Sequence, residues 1–272
     1  MNKAALPGDL WIASDIHLGA AVPQTSRAFY DFLACARTQA RALILCGDIF
    51  DAWIGDDHAL RNPPAWLDQA LRELRQTAQA IPVWLICGNR DFLMGAALAQ
   101  ALGARLVAAP VRLDTDAGPI LLAHGDEYCT DDTAYQRFRR VVHTPWIQTV
   151  FLALPLALRR AVADWARQRS RQARRGKPMQ IMDVNAGAVA QALRSADCNV
   201  MIHGHTHRPA VHELDLDGRA ARRYVLPDWE FDHAQPPRGG WISVSAAQGV
   251  QLHPWPPLQP GTSVCCSADT RT

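Results

Sequence analysis

The sequence predicts an α/β fold in which helices cover a sheet, and two observations carry that prediction. First, five short apolar runs each end abruptly in a polar cluster: LWIASDIH (10–17), ALILCGD (42–48), VWLICGNRD (83–91), ILLAHGDE (120–127) and VMIHGHTH (200–207). Runs of four or five apolar residues beside glycine read as strands buried on both faces. Second, amphipathic helical patterns fill the gaps, as in 26–40 and 64–79. Asp15 and Asp48 are 33 residues apart, and Asp48 and Asn89 are 41 apart, about the length of a βαβ unit. Strands alternating with helices at that spacing argue for layered α/β architecture.

From the N-terminus, MNKAALPGDLWIASDIHLG lacks an uninterrupted apolar stretch and a small-residue cleavage site, so no signal peptide is expected. The 272 residues, 49% of them hydrophobic, suffice for a sizeable buried core and are too apolar for a disordered chain. Lys+Arg number 28 against Asp+Glu 26, and a net charge of +2 argues against a broadly basic nucleic-acid binder. Seven cysteines, at 35, 46, 87, 129, 198, 265 and 266, are scattered and form no C-x-x-C pair. Neither a disulfide framework nor a thiolate zinc site is expected, and free thiols suit a reducing cytoplasmic compartment.

The interval from His124 to His205 is 81 residues, far longer than the others. It holds an insertion, about 129–185, of different texture. PWIQTVFLALPLAL is apolar almost all round, and RRAVADWARQRSRQARRGK carries eight Lys/Arg against one Asp. That segment is net +7, which leaves the rest of the chain at −5. An apolar helix beside an arginine-rich one reads as a helical lid or an interfacial membrane element. The basic run lacks interleaved aromatic residues apart from Trp165, so no nucleic-acid partner is expected. Residues 141–158 carry no formal charge, but His143, Pro145, Gln148 and Pro155 make them a poor membrane span. A single domain over 1–250 and a poorly ordered Pro/Ser/Thr-rich tail over 251–272 complete the organisation.

The strand ends supply Asp15, His17, Asp48, Asn89, His124, His205 and His207, all oxygen or imidazole donors. One aspartate after a strand is ordinarily a helix cap, and one histidine an ordinary core residue. Five successive strand ends of this chemistry point instead to a metal site, because loops leaving the carboxyl ends of strands converge on one crevice. In D-x-H and H-x-H the donors at i and i+2 share a face. Seven donors exceed one tetrahedral ion and suit two divalent ions sharing a carboxylate. Such a pair polarises phosphoryl oxygens and lowers the pKa of a water for in-line attack. Gly47, Gly88, Gly125 and Gly204 permit the tight turns this requires.

DIH (15–17), GDIFD (47–51), GNRD (88–91), HGD (124–126) and GHTH (204–207), in that order, resemble the five blocks of calcineurin-like metallophosphoesterases. The resemblance implies a four-layer α/β/β/α sandwich with the helical lid inserted. It also implies one ion on Asp15, His17, Asp48 and His207 and a second on Asp48, Asn89, His124 and His205, with manganese as the metal. Donor type alone leaves iron and zinc open. Most members carry histidine after the asparagine of the third block, whereas here Arg90 stands there. Arginine cannot donate a proton near neutral pH, but its planar fork suits bidentate phosphate binding.

With AWIGDD (52–57), GNRDFLMG, HGDEYCTDDTAYQRFR, MQIMDVN (179–185) and HGHTHRP (203–209), the chain is similar over about 8–245 to the UDP-2,3-diacylglucosamine diphosphatase family of the lipid A pathway. That resemblance implies hydrolysis of the pyrophosphate of UDP-2,3-diacylglucosamine to UMP and 2,3-diacylglucosamine 1-phosphate. Asn89, Arg90 and His205 would act at the reacting phosphate, and Asn89, Arg90, Asp132, Ser170, Arg174, Lys177 and His205 would contact substrate. Asp132 also reads as a helix cap before AYQRFR. A phosphodiesterase or pyrophosphatase for a soluble nucleotide is the alternative. Because His124 and His205 must reach one centre, a single membrane crossing between them is excluded. Peripheral attachment on the cytoplasmic side of the inner membrane is expected, with no protein partner.

Overall fold

The computed structural model describes residues 1–174 and 183–255, without the side chains of 170–174. Among the described residues the chain forms twelve strands: Asn2–Ala5 (β1), Leu10–Ala13 (β2), Ala42–Cys46 (β3), Val83–Ile86 (β4), Arg105–Leu106 (β5), Val111–Thr115 (β6), Gly118–Leu122 (β7), Val200–His203 (β8), Ala210–Leu216 (β9), Arg219–Val225 (β10), Gly240–Ser245 (β11) and Gly249–Pro254 (β12). They pair into two six-stranded sheets, ordered β12-β11-β2-β3-β4-β5 and β1-β6-β7-β8-β10-β9. β2, β3, β4 and β5 run parallel, as do β7, β8 and β10, while β11 is antiparallel to β2.

The strands' period of two divides their side chains between cores. Leu10, Ile12, Ile44, Cys46, Trp84 and Ile86 meet Leu113, Ile120, Leu122 and Ile202 between the sheets. The alternate residues Trp11, Ala13, Leu43, Leu45, Val83 and Leu85 face away, toward helices Pro23–Gln39 (α1), Ala65–Ala80 (α3) and Ala96–Leu102 (α4). The short Asp56–Arg61 (α2) precedes α3. On the far side Leu121, Ala123 and Met201 pack on Val189 and Leu193 of the helix Ala186–Ala196, numbered α8 below. The layers are therefore α/β/β/α. The alternation of strands and helices alone suggested helices on one sheet, and the second sheet doubles that arrangement.

The insertion folds as helices Thr133–Val142 (α5), Pro145–Ala153 (α6) and Leu156–Arg174 (α7), followed in the chain by α8. The charge-free stretch is thus broken, with Pro145 starting α6 where its missing N–H costs nothing. No described helix is long and apolar enough to cross a membrane. Not every arginine of the basic run is solvated. Arg159 is buried and donates to Ile54 O at 2.6 Å and to both oxygens of Asp57, which ties α7 to the start of α2.

The boundary expected at residue 250 moves outward. β12 runs to Pro254, and Trp255 is buried with its ring 5.6 Å from Phe32 and 5.7 Å from Trp241. An apolar indole in that cluster outweighs the proline-rich composition around it. Residues 256–272, with Cys265 and Cys266, lie outside the described residues. Among the described residues no disulfide joins the cysteines.

Candidate metal centre

Every expected donor stands two to four residues beyond a strand end, and the parallel strands bring those ends to one rim of the facing sheets. Asp15 and His17 follow β2, Asp48 follows β3, Asn89 follows β4, His124 follows β7, and His205 and His207 follow β8. Five of these seven residues have left-handed backbone: Asp15 (φ 55°), His17 (54°), Asp48 (52°), His205 (68°) and His207 (55°). Non-glycine residues there cost of order 1–3 kcal/mol each, a strain that clusters at functional sites. Gly88 and Gly204 allow the crowding. A Cβ on Gly88 would collide with the carboxylate of Asp48, and one on Gly204 with that of Asp15.

Two groups of donors converge. In one, His207 Nε2 lies 3.4 Å from Asp15 Oδ1 and 3.3 Å from His17 Nε2. In the other, His124 Nε2 lies 3.6 Å from Asp48 Oδ1, and Asp15 completes the trio. Asn89 Oδ1 joins them, 3.2 Å from His124 Nε2 and 2.8 Å from His205 Nδ1. Asp15, Asp48 and His124 are all buried. Two imidazole nitrogens facing each other across 3.3 Å, and a His17 Nδ1 that is buried without a hydrogen-bond partner, are chemistry that cations would satisfy.

The electrostatics agree. Burial pushes the Asp48 carboxyl up to about 7, with Asp91 and Asp15 adding to the effect and His124 opposing it. Burial works against charge on His124 and His207, but Asp48 and Asp15 raise the first to about 9, and Asp15 and Asp228 raise the second to about 10. Burial lowers His17. Protons and cations compete for these lone pairs, and the crowded carboxylates favour positive charge of either kind.

Arg90 lies at the edge of this cluster. Its backbone N–H donates to Asp48 Oδ1 at 2.7 Å. Its Nη1 is buried, 3.5 Å from Asp51 Oδ1, and has no hydrogen-bond partner. Arg167 of α7 reaches the other oxygen of Asp51 at 2.5 Å, so the insertion closes on the same side of the centre as Arg90. Asp132 accepts the Tyr135 N–H at 3.0 Å and caps α5. The side chains of Ser170 and Arg174, and the whole of Lys177, lie outside the described residues.

Residues 9–209 match the calcineurin-like phosphoesterase family, a span that holds all seven donors and Arg90. The chain belongs to that family. This phosphoesterase is 57% identical over 244 residues, 90% of its length and 94% of the other's, to a protein of Bordetella parapertussis named UDP-2,3-diacylglucosamine hydrolase. A protein of the same name from Cellvibrio japonicus is 44% identical over 242 residues, 89% of this chain and 97% of that one. Among solved structures, vacuolar protein sorting 29 from Cryptosporidium parvum aligns with a TM-score of 0.44 at 13% identity, over 94% of this phosphoesterase and 93% of that chain.

Several residues around the centre carry no donor motif of their own. Asp91 accepts the N–H groups of Gly88, Asp48 and Ile49, which shapes the third and second blocks together. Asp126 accepts from Tyr135 Oη and Arg139 Nε, both at 2.7 Å, and fastens α5 beside His124. Both aspartates stand inside the quoted blocks, GNRD and HGD, so their position was available although their part was not. Asp228, 3.4 Å from His207 Nδ1, stands outside every block, and its only signal is a carboxylate three residues past the apolar end of a mixed strand, in YVLPD.

Proposed function

We propose that this phosphoesterase hydrolyses the pyrophosphate of UDP-2,3-diacylglucosamine, with water adding to one phosphorus and the P–O–P bridge breaking to give UMP and 2,3-diacylglucosamine 1-phosphate. The convergence of seven oxygen and imidazole donors beside the half-buried guanidinium of Arg90 supports it, in a chain whose relatives carry that substrate in their name. Asp15, His17, Asp48 and His207 would hold one divalent ion, and Asp48, Asn89, His124 and His205 a second, with manganese the proposed metal. Two such ions supply Lewis-acid polarisation of phosphoryl oxygen and a water of lowered pKa.

The chain's own residues do the rest. Asp48 faces both groups, its Oδ2 3.9 Å from His17 Nδ1 and its Oδ1 3.6 Å from His124 Nε2, and that Oδ1 is fixed by the Arg90 N–H. Arg90, with Nη1 beside Asp51, offers its guanidinium to a phosphoryl oxygen and, with His205, steadies the charge that develops there. Asp132, Ser170, Arg174 and Lys177 are proposed as further substrate contacts, Asp132 in addition to capping α5.

The diacylated half of the substrate calls for apolar surface. Trp146 and Trp165 are 68% and 60% exposed on α6 and α7, near exposed Val150, Leu158 and Val162. Apolar side chains on helices that also carry arginine suit an anionic lipid surface, so we propose peripheral attachment to the cytoplasmic face of the inner membrane. Sedimentation with vesicles containing anionic lipid tests this. Incubating the manganese-loaded protein with UDP-2,3-diacylglucosamine and following UMP tests the activity. Release of UMP is expected. Turnover of soluble nucleotide diphosphates or cyclic nucleotides, with none of the lipid nucleotide, would overturn the substrate assignment.

A further inference from the structure

The imidazole of His207 is held from both sides. Its Nε2 points into the centre, toward Asp15 and His17, and its Nδ1 lies 3.4 Å from Asp228 Oδ2. Asp228 is 21 residues further along the chain and beyond the span that matches the family. It is 3% exposed, and Arg238 grips it with two nitrogens, Nε at 2.9 and 3.1 Å and Nη2 at 2.7 Å. The backbone on either side is pinned to the same rim. Leu226 N–H donates to His203 O at 2.7 Å, and Trp229 N–H donates to Asp15 O at 3.0 Å.

We infer that Asp228 is a positioning residue for the first metal group, with Arg238 as its own support. Its carboxylate accepts the Nδ1–H of His207, which fixes the tautomer with the proton on Nδ1 and leaves the Nε2 lone pair aimed at the space shared with Asp15 and His17. A ligating histidine whose second nitrogen donates to a carboxylate is oriented and made more basic, and losing such a partner typically costs 10–100-fold in metal affinity. His124 has the neutral version of this support, a backbone carbonyl of Cys46 at 3.1 Å from its Nδ1. Of these two supports only the one behind His207 brings a charge, and it reaches the site from the segment between β10 and β11.

This inference rests on the two-ion reading, and one experiment separates the two. Manganese uptake by the full chain is measured by calorimetry for wild type, Asp228→Ala, Asp228→Asn and Arg238→Ala, with melting temperature recorded for each. In Asp228→Ala one of two sites should weaken about 10–100-fold while the other keeps its affinity. Asp228→Asn, which retains an acceptor oxygen, should recover part of the loss, and Arg238→Ala should weaken the same site by less. If Asp228→Ala does not fold, Arg238→Ala decides alone, because its side chain is 49% exposed and its loss leaves the core intact. Two unchanged sites in the variants sink the inference and leave the two-ion reading standing. Equal weakening of both sites with a lowered melting temperature makes Asp228 a fold residue and also sinks it. A wild type that takes up fewer than two ions overturns both.

Discussion

Asp91 accepts the backbone N–H of Ile49 at 2.7 Å. The same carboxylate takes Gly88 N–H at 2.7 Å and Asp48 N–H at 3.2 Å, and Asp91 is fully buried. One side chain therefore sets the turn after β3 against the turn after β4, the two loops that deliver Asp48 and Asn89. Replacing it by alanine strands buried N–H groups, each costing about 1–3 kcal/mol. Asp91→Ala should lose about 3 kcal/mol or more in urea unfolding and bind metal more weakly. Wild-type stability in that variant would show that the two turns hold themselves.

Arg90 makes a prediction about geometry and not charge alone. Lysine keeps the charge but loses the planar fork, and hydrogen bonds to charged partners are worth about 1.5–3 kcal/mol. Arg90→Lys should reduce kcat/KM by about 10–100-fold while manganese affinity stays at the wild-type value. Steady-state kinetics alongside calorimetry checks both halves. Equal activity of the two proteins would remove Arg90 from the phosphate.

Asp232 predicts a pH dependence. It caps α1 from a distance, accepting from Gln24 N at 3.0 Å, Thr25 N at 2.9 Å and Thr25 Oγ1 at 2.8 Å. Burial opposes its charge, but the hydrogen bonds from Thr25 and Gln24 outweigh that and lower its pKa. A carboxyl lowered on folding stabilises the protein above its unfolded value of about 3.9, and that contribution disappears as pH falls through the folded value. Asp232→Ala should cost about 1 kcal/mol at neutral pH, the usual worth of a cap. The gap between variant and wild type should close below about pH 4. Thermal unfolding at a series of pH values checks this, and a gap that stays constant into acid would contradict it.

The donor set was legible in the sequence because its chemistry is local. Each candidate donor stands a few residues past a short apolar run, and buried parallel strands announce themselves by composition without needing a partner. The second sheet was less legible. β9 and β10, AVHELDL and RAARRYV, mix exposed and buried positions, and what makes them strands is each other and β8. Arg159 was illegible for a different reason. Within a run of arginines nothing in composition tells the one that a distant carboxylate takes inside from those that stay in water. Trp255 was hidden by its prolines, since the aromatic cluster that buries it is assembled from β2, α1 and β11. Asp228 depended on a fold in which the chain passes the site once more after its last candidate donor.

The central claim is that hydrolysis runs through the shared carboxylate of Asp48. UMP release from UDP-2,3-diacylglucosamine by manganese-loaded wild type, set beside Asp48→Ala of equal melting temperature, tests it most directly. The account predicts UMP and 2,3-diacylglucosamine 1-phosphate from the wild type and a fall of at least about 100-fold in the variant. Undiminished UMP release by the folded variant would contradict it.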